Sequence, residues 1–140
     1  MKAPWTSTSE QRLKLFAEHA TDYAIVITDP EGHVIEWSAG AEHLMGWKAQ
    51  EVLGRYYAFL FTSEDRESGV PEAEREQARR EGRAPDVRWH VRKDGSQFFV
   101  DGVLSAILGP DGRIAGFGRG SSSECKRHLS NPLPASIPPD

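Results

Sequence analysis

The sequence predicts an α+β domain in which five antiparallel strands have one face covered by short helices. Three observations carry that prediction. Residues 23–37 hold two β-rich runs separated by turn chemistry. Residues 87–120 hold three more, again joined by tight turns. The stretch between them has no strand period and is punctuated by helix caps and glycines. A sheet with one apolar face needs a cover, and the intervening helices supply it.

The elements follow in order. Residues 1–9 are small and polar, which predicts a flexible N-terminus, and Ser7 with Glu10 has capping-box spacing. Between Glu10 and Ala20, the residues Leu13, Phe16, Ala17 and Ala20 fall at i, i+3, i+4, i+7, one face of an amphipathic helix. Leu15 lies off that stripe. Tyr23–Thr28 is a strand, Asp29-Pro30-Glu31-Gly32 a turn, and His33–Trp37 the returning strand. Ser38 predicts the cap of a short helix holding Ala41, Leu44 and Met45 and closed by Gly46. Ala49–Leu53 predicts one or two more helical turns before Gly54. Tyr56, Tyr57, Phe59, Leu60 and Phe61 form an aromatic cluster without a period, and Thr62–Asp65 a loop or cap. Pro71–Glu81 is helical by composition, with Pro at the first position. Its apolar residues are few (Val70, Ala73, Ala78) and Glu76 and Arg80 are spaced for an i,i+4 pair, which predicts a solvated surface helix.

The last third is β. Val87–Arg92 alternates, with Val87, Trp89 and Val91 on one face and Arg88, His90 and Arg92 on the other. Lys93-Asp94-Gly95-Ser96 is a hairpin turn, Gln97–Leu108 a long strand, Gly109-Pro110-Asp111-Gly112 a second turn, and Arg113–Gly120 the last strand. Residues 121–140 are Ser- and Pro-rich and predict a disordered tail. The expected boundaries are therefore 1–9, 10–120 and 121–140.

Composition narrows the function. A chain of 140 residues is one domain, large enough to bury about 68% of its unfolded surface without staples. A net charge of −4 lacks the basic face that nucleic acid or an anionic membrane needs. The single cysteine, Cys125, excludes an internal disulfide and a cysteine-built metal site. No apolar run approaches the ~20 residues that span a bilayer, and Met1-Lys2-Ala3-Pro4-Trp5 has no apolar signal core. The expectation is a cytoplasmic domain with no membrane insertion. Nothing predicts an enzyme. Cys125 and His128 share a helical spacing but sit in the polar tail, and Gly116-x-Gly118-x-Gly120 lacks the helix that a dinucleotide turn requires. No metal site is predicted, because His19, His33 and His43 are scattered.

Several local motifs, in this order and spacing, resemble a known family. Asp22-Tyr23-Ala24-Ile25, Asp29-Pro30-x-Gly32 and Trp37-Ser38-Ala39-Gly40-Ala41-Glu42 with Gly46-Trp47 match its first half. Val52-Leu53-Gly54-Arg55 and Phe61-Thr62-x-Glu64-Asp65-Arg66 match its middle. Trp89-x-Val91-Arg92-Lys93-Asp94-Gly95-Ser96-x-Phe98 and Asp111-Gly112-Arg113-x-x-Gly116-Phe117 match its last strands. Over residues 10 to 120 the chain resembles a PAS domain, the sensory module common in bacterial histidine kinases and diguanylate cyclases. The resemblance implies a PAS-like fold with sheet order 2-1-5-4-3 and helices enclosing a pocket. It also implies signal transduction of the two-component type: a small ligand sensed in the pocket and relayed through homodimer or partner contacts to an effector or kinase, in cis or in trans. The alternative is a ligand-free interaction and dimerisation module.

The same resemblance tests the cofactors. The light-sensing flavin branch places a reactive cysteine where Tyr57 stands here, and polar flavin partners where Tyr56, Phe61, His90, Val100 and Gly118 stand. That excludes covalent flavin photochemistry and argues against bound flavin. The haem branch places its histidine on the helix before the third strand; Pro71–Glu81 has none, and His90 is the nearest, which argues against haem. Candidate pocket residues are Ile27, Leu44, Tyr56, Tyr57, Phe59, His90, Val100, Gly102 and Leu104. Leu13, Phe16 and Trp89 are the candidate dimer interface. The family's Asp-x-Thr ending is replaced by Ser123-Glu124-Cys125.

Overall fold

Turn chemistry sets the framework. In the computed structural model, which describes residues 8–122, each strand-joining turn is tied by an aspartate that accepts backbone amides. Asp29 Oδ1 accepts from the amides of Glu31 and His33 at 3.0 and 2.8 Å. Asp94 accepts from Ser96 at 2.9 Å and Asp111 from Arg113 at 3.0 Å. Gly32, Gly95 and Gly112 supply the positive φ that each turn needs.

Five strands result: β1 (Tyr23–Thr28), β2 (Val34–Trp37), β3 (Arg83–Val91), β4 (Gln97–Leu108) and β5 (Ile114–Ser122). They form one antiparallel sheet in the order β2-β1-β5-β4-β3. The order is the one the resemblance implies. β1 and β5 meet at its centre, with Val26 opposite Arg119 and Ile27 opposite Gly118. β3 begins at Arg83, four residues before the alternating run from Val87, because Ala84 and Asp86 continue its inward row.

The helices lie between β2 and β3: α2 (Ala39–Met45), α3 (Ala49–Val52), a 3-10 turn (Tyr57–Leu60), α4 (Ser63–Glu67) and α5 (Val70–Glu81). Ser38 Oγ caps α2 by accepting from Ala41, and it also accepts from the amide of Ile25 in β1, so one hydroxyl fixes the helix to the sheet. Gly40 lets α2 approach: a methyl there would overlap the Tyr23 carbonyl.

Two apolar clusters fill the interface. The larger joins Ala24, Val26, Val34, Trp37, Leu44, Tyr57, Leu60, Phe61, Phe98 and Val100; the smaller joins Ala78, Ala84, Leu104 and Phe117.

Two expectations need correction. The N-terminal helix α1 (Ser9–His19) is capped by Thr8, whose hydroxyl accepts from Gln11, rather than through Ser7. α1 buries none of its own residues, and Leu13 and Phe16, the stripe expected at an interface, stay 70% and 69% exposed. Finally, α5 is not merely a solvated helix. The Glu76–Arg80 pair is present at 3.6 Å, but Pro71, Glu74 and Ala78 are buried against the sheet. The expectations for residues 1–7 and 123–140, Cys125 and His128 included, lie outside the described residues.

Candidate functional site

Alternation along two strands and the period of one helix deliver charge to the interior. On β3, Ala84, Asp86, Arg88 and His90 share the row that faces the helices. On β5 that row carries Phe117, Arg119 and Ser121. On α5 the inward positions 71, 74 and 78 lie one to two turns apart, and the middle one is Glu74. Asp86, His90, Glu74 and Arg119 are all at most 7% exposed. They meet in one network.

Arg119 is its hub. Nη1 donates to Asp86 Oδ2 at 2.8 Å and Nη2 to Glu74 Oε1 at 3.1 Å. The guanidinium lies 5.2 Å from the Tyr57 ring centre and 5.4 Å from that of Phe61, so aromatic faces wall its other side. Arg88 Nε donates to Glu74 Oε2 at 2.8 Å and to Asp86 Oδ1 at 3.1 Å, and Arg88 Nη1 lies 3.8 Å from Asp65 on α4. His90 Nε2 lies 2.9 Å from Asp86 Oδ2. Its Nδ1 lies 2.9 Å from the Leu60 carbonyl. Both ring nitrogens therefore face acceptor oxygens. Tyr57 Oη donates to the Pro71 carbonyl at the start of α5.

Burial sets the electrostatics. Desolvation, helped by a hydrogen bond to Asp86, pushes the Glu74 carboxyl up to about 8 against the opposing pull of Arg119. Burial alone would raise Asp86 too, but the His90 and Arg119 charges outweigh it and hold that carboxyl well below the usual range. Burial likewise raises the Tyr57 hydroxyl. At the edge of the site, burial and the Glu72 carboxylate bring Tyr56 up to about 12.

A family model described as the PAS fold matches residues 11–119. The chain belongs to the PAS family. A curated relative, "Two-component system protein A" of Emericella nidulans, is 38% identical over 94 residues; the match covers 67% of this chain and 14% of that protein. The chain thus spans a small part of the relative's length. Among solved structures, a domain of a sensory box sensor histidine kinase/response regulator from Geobacter sulfurreducens is 26% identical with a TM-score of 0.63, covering 84% of this chain and 99% of that one. The PAS domain of a Colwellia psychrerythraea protein matches at 24% identity and a TM-score of 0.70, over 81% of this chain and 94% of that one, which speaks to fold.

This PAS domain gathers some of the nine pocket candidates and scatters the rest. Tyr57 and His90 meet at the network. Leu44 and Val100 are buried in the larger cluster, and Leu104 in the smaller. Gly102 lies between Val100 and Leu104 on the inward row of β4. Phe59 packs toward the surface against Trp37 and Trp47, with Arg55 stacked over it at 4.4 Å. Tyr56 points to the rim, where its hydroxyl donates to Glu72 at 2.6 Å. Ile27 is on the opposite face of the sheet, because Ala24, Val26 and Thr28 take the inward row of β1.

That outer face is the second feature of the PAS domain. Gly116, Gly118 and Gly120 form the outward row of the central strand β5. Ile25 and Ile27 flank that row on β1, opposite Gly120 and Gly118, and Val103, Ser105 and Ile107 flank it on β4. The result is an open furrow of about 600 Å³ floored by backbone. Trp89 stands on this face with Phe99, their rings edge to face at 5.3 Å. Among the described residues no metal-type cluster occurs, and no helix is long and apolar enough to cross a membrane.

Sequence reasoning missed Glu74, Asp86 and Arg119. Each had a signal. Glu74 sits on the narrow row between Pro71 and Ala78, Asp86 shares strand parity with His90, and Arg119 shares it with Phe117.

Proposed function

We propose that this PAS domain is a signalling module of a two-component system that works through protein contacts rather than through a bound cofactor. The observation that carries the reading is the Glu74–Asp86–Arg119–His90 network. It fills the space between α5 and the sheet with the chain's own side chains, and those side chains satisfy one another. Support against haem comes from His90, whose two ring nitrogens are both engaged. Support against flavin comes from Tyr57, whose ring and hydroxyl are committed to Phe61, Arg119 and Pro71. The two-component context is supported by the relative from Emericella nidulans.

The signalling surface is a homodimer interface in this reading. α1 presents Leu13 and Phe16 to solvent, and the outer sheet face presents Trp89 and the glycine-floored furrow; both are apolar and uncovered within the chain. Docking α1 of one copy against the sheet of another covers both, and passes a change to an effector in cis or in trans. Light scattering tests it. The native chain is expected as a dimer and Leu13→Glu/Phe16→Glu as a monomer, while an unchanged mass sinks the interface. Mass spectrometry of denatured native protein tests the interior. Release of a stoichiometric small molecule overturns the filled-core reading in favour of a ligand sensor.

A further inference from the structure

His90 closes one end of the network, and both of its ring nitrogens face oxygens. The residue is 3% exposed. Nε2 lies 2.9 and 3.0 Å from the two Asp86 oxygens, and Nδ1 lies 2.9 Å from the Leu60 carbonyl oxygen. A carbonyl oxygen can only accept. Asp86 is committed to accepting as well, because Oδ2 takes a hydrogen bond from Arg119 at 2.8 Å and Oδ1 takes one from Arg88 at 3.1 Å. A neutral imidazole carries a hydrogen on one nitrogen and a bare lone pair on the other. In either tautomer that lone pair would point at an oxygen 2.9 Å away. The doubly protonated ring donates on both sides.

We propose that His90 is a proton-operated latch: as an imidazolium it joins β3 to the 3-10 turn, and on losing its proton it lets go of the Leu60 carbonyl. The groups around it come from every neighbouring element. β3 supplies Asp86, with Arg88 on the far side of that carboxylate, and β5 supplies Arg119. α5 supplies Glu74 beyond the two guanidinium groups, and α4 supplies Asp65 beyond Arg88. The 3-10 turn supplies Tyr57 beside Arg119. The rings of Phe61 and Phe98, centred 4.7 and 6.2 Å from the imidazole, bring no charge. Three carboxyl groups thus stand against three basic side chains, and Asp86 is the one that touches all three.

Deprotonation has a direction. A carboxylate is a stronger acceptor than a peptide carbonyl, so a ring left with one hydrogen keeps it on Nε2, toward Asp86. The Leu60 carbonyl then faces a bare nitrogen and withdraws. Other ties keep the turn seated: Phe61 and His90 share a backbone bridge, and Tyr57 donates to the Pro71 carbonyl. The change is therefore local to Leu60 and Phe61, and the Phe61 ring borders both His90 and Arg119. Acid fastens this end of the turn and base loosens it. The proton as the module's input rests on the cofactor-free reading above; the double protonation stands on hydrogen-bond geometry.

Long-range proton–nitrogen NMR of the imidazole tests it. A histidine in water releases its proton at about pH 6.5, so at about pH 7.5 the ring is mostly neutral in the urea-unfolded chain. In the native chain at the same pH, both His90 nitrogens are expected at the protonated position. Taken to higher pH, the ring is expected to lose its Nδ1 hydrogen, and the carbon-13 shift of the Leu60 carbonyl to move with it. Asp86→Asn removes the carboxylate that holds the charge, and its His90 ring is expected to be neutral at about pH 7.5. One bare nitrogen in the native chain at that pH overturns the proposal. So does loss of the Nε2 hydrogen, a Leu60 carbonyl that stays unmoved while the ring titrates, or a ring still charged in folded Asp86→Asn. The native spectra decide alone should the variant fold poorly. A small molecule released on denaturation would end the cofactor-free reading and leave each of these outcomes unchanged.

Discussion

Removing the hub of the network exposes its energetics. Arg119→Met keeps an unbranched apolar stem but deletes the guanidinium group and its charge. Two charge-assisted hydrogen bonds go with it, to Asp86 and Glu74, each worth about 1.5–3 kcal/mol. So do the contacts over Tyr57 and Phe61. What remains is a pair of buried carboxyls sharing one arginine, Arg88. Breaking a buried ion pair from one side costs about 3–5 kcal/mol, against a total domain stability on the order of 5–15 kcal/mol. Urea unfolding reads this directly. With a slope of about 2 kcal/mol/M, the midpoint is expected to drop by roughly 2 M. Tryptophan fluorescence is a suitable probe, since Trp37 is buried in the larger cluster. The Glu74→Gln background removes one of the two carboxyls that Arg119 holds, so Arg119→Met is expected to cost about 1–3 kcal/mol less there. A loss below about 1 kcal/mol, or no relief in the Glu74→Gln background, would refute the idea that these groups depend on one another.

Two further predictions follow from other parts of the molecule. Gly40→Ala places a methyl into the Tyr23 carbonyl where α2 crosses β1, which is expected to cost about 1–3 kcal/mol or more and to lower the melting temperature by roughly 5–15 °C in a circular dichroism melt; an unchanged melt would mean α2 sits further from the sheet. Asp86 is held well below its ordinary value in the folded chain by His90 and Arg119, so the stability it lends is present above about pH 4 and is lost as pH falls through its folded value; Asp86→Asn is expected to flatten the acid limb of a stability–pH curve, and an unaltered limb would count against it.

The fold was largely legible because its signals are local. Asp and Gly in the turns, Ser38 before α2, and the alternation of Val87, Trp89 and Val91 each act within a few residues. The site was only half legible. Alternation put His90 and Trp89 on opposite faces and the family resemblance turned His90 inward, yet Ile27 was expected inside, because its run, from Tyr23 to Thr28, is apolar on both faces and parity cannot choose between them. The network was hidden for a different reason. A glutamate on a helix crowded with Glu, Gln and Arg reads as solvated, and only its position between Pro71 and Ala78 says otherwise. A buried charge is legible only once its partners are known, and Glu74 finds Arg119 across 45 residues. The exposed stripe of α1 shows the converse: a helical apolar period says that a face wants cover without saying that the same chain provides it.

The central seam of the sheet has a consequence for the order of assembly. β3, β4 and β5 are joined by tight turns, and so are β1 and β2, but β1 meets β5 with Tyr23 opposite Ser122. Closing that span of nearly a hundred residues costs an entropic term of about 4 kcal/mol, against about 1 kcal/mol for a four-residue turn, apart from a shared constant. The hairpin and the meander therefore form early and separately, and their union is the slow event. At this seam the outward row of β5 is Gly118, Gly120 and Ser122, and the side chains of Ile27 and Tyr23 from β1 lie over the two glycines. The last joint made in folding is thus closed on its outer side by side chains that only β1 supplies, over a strand that leaves room for them.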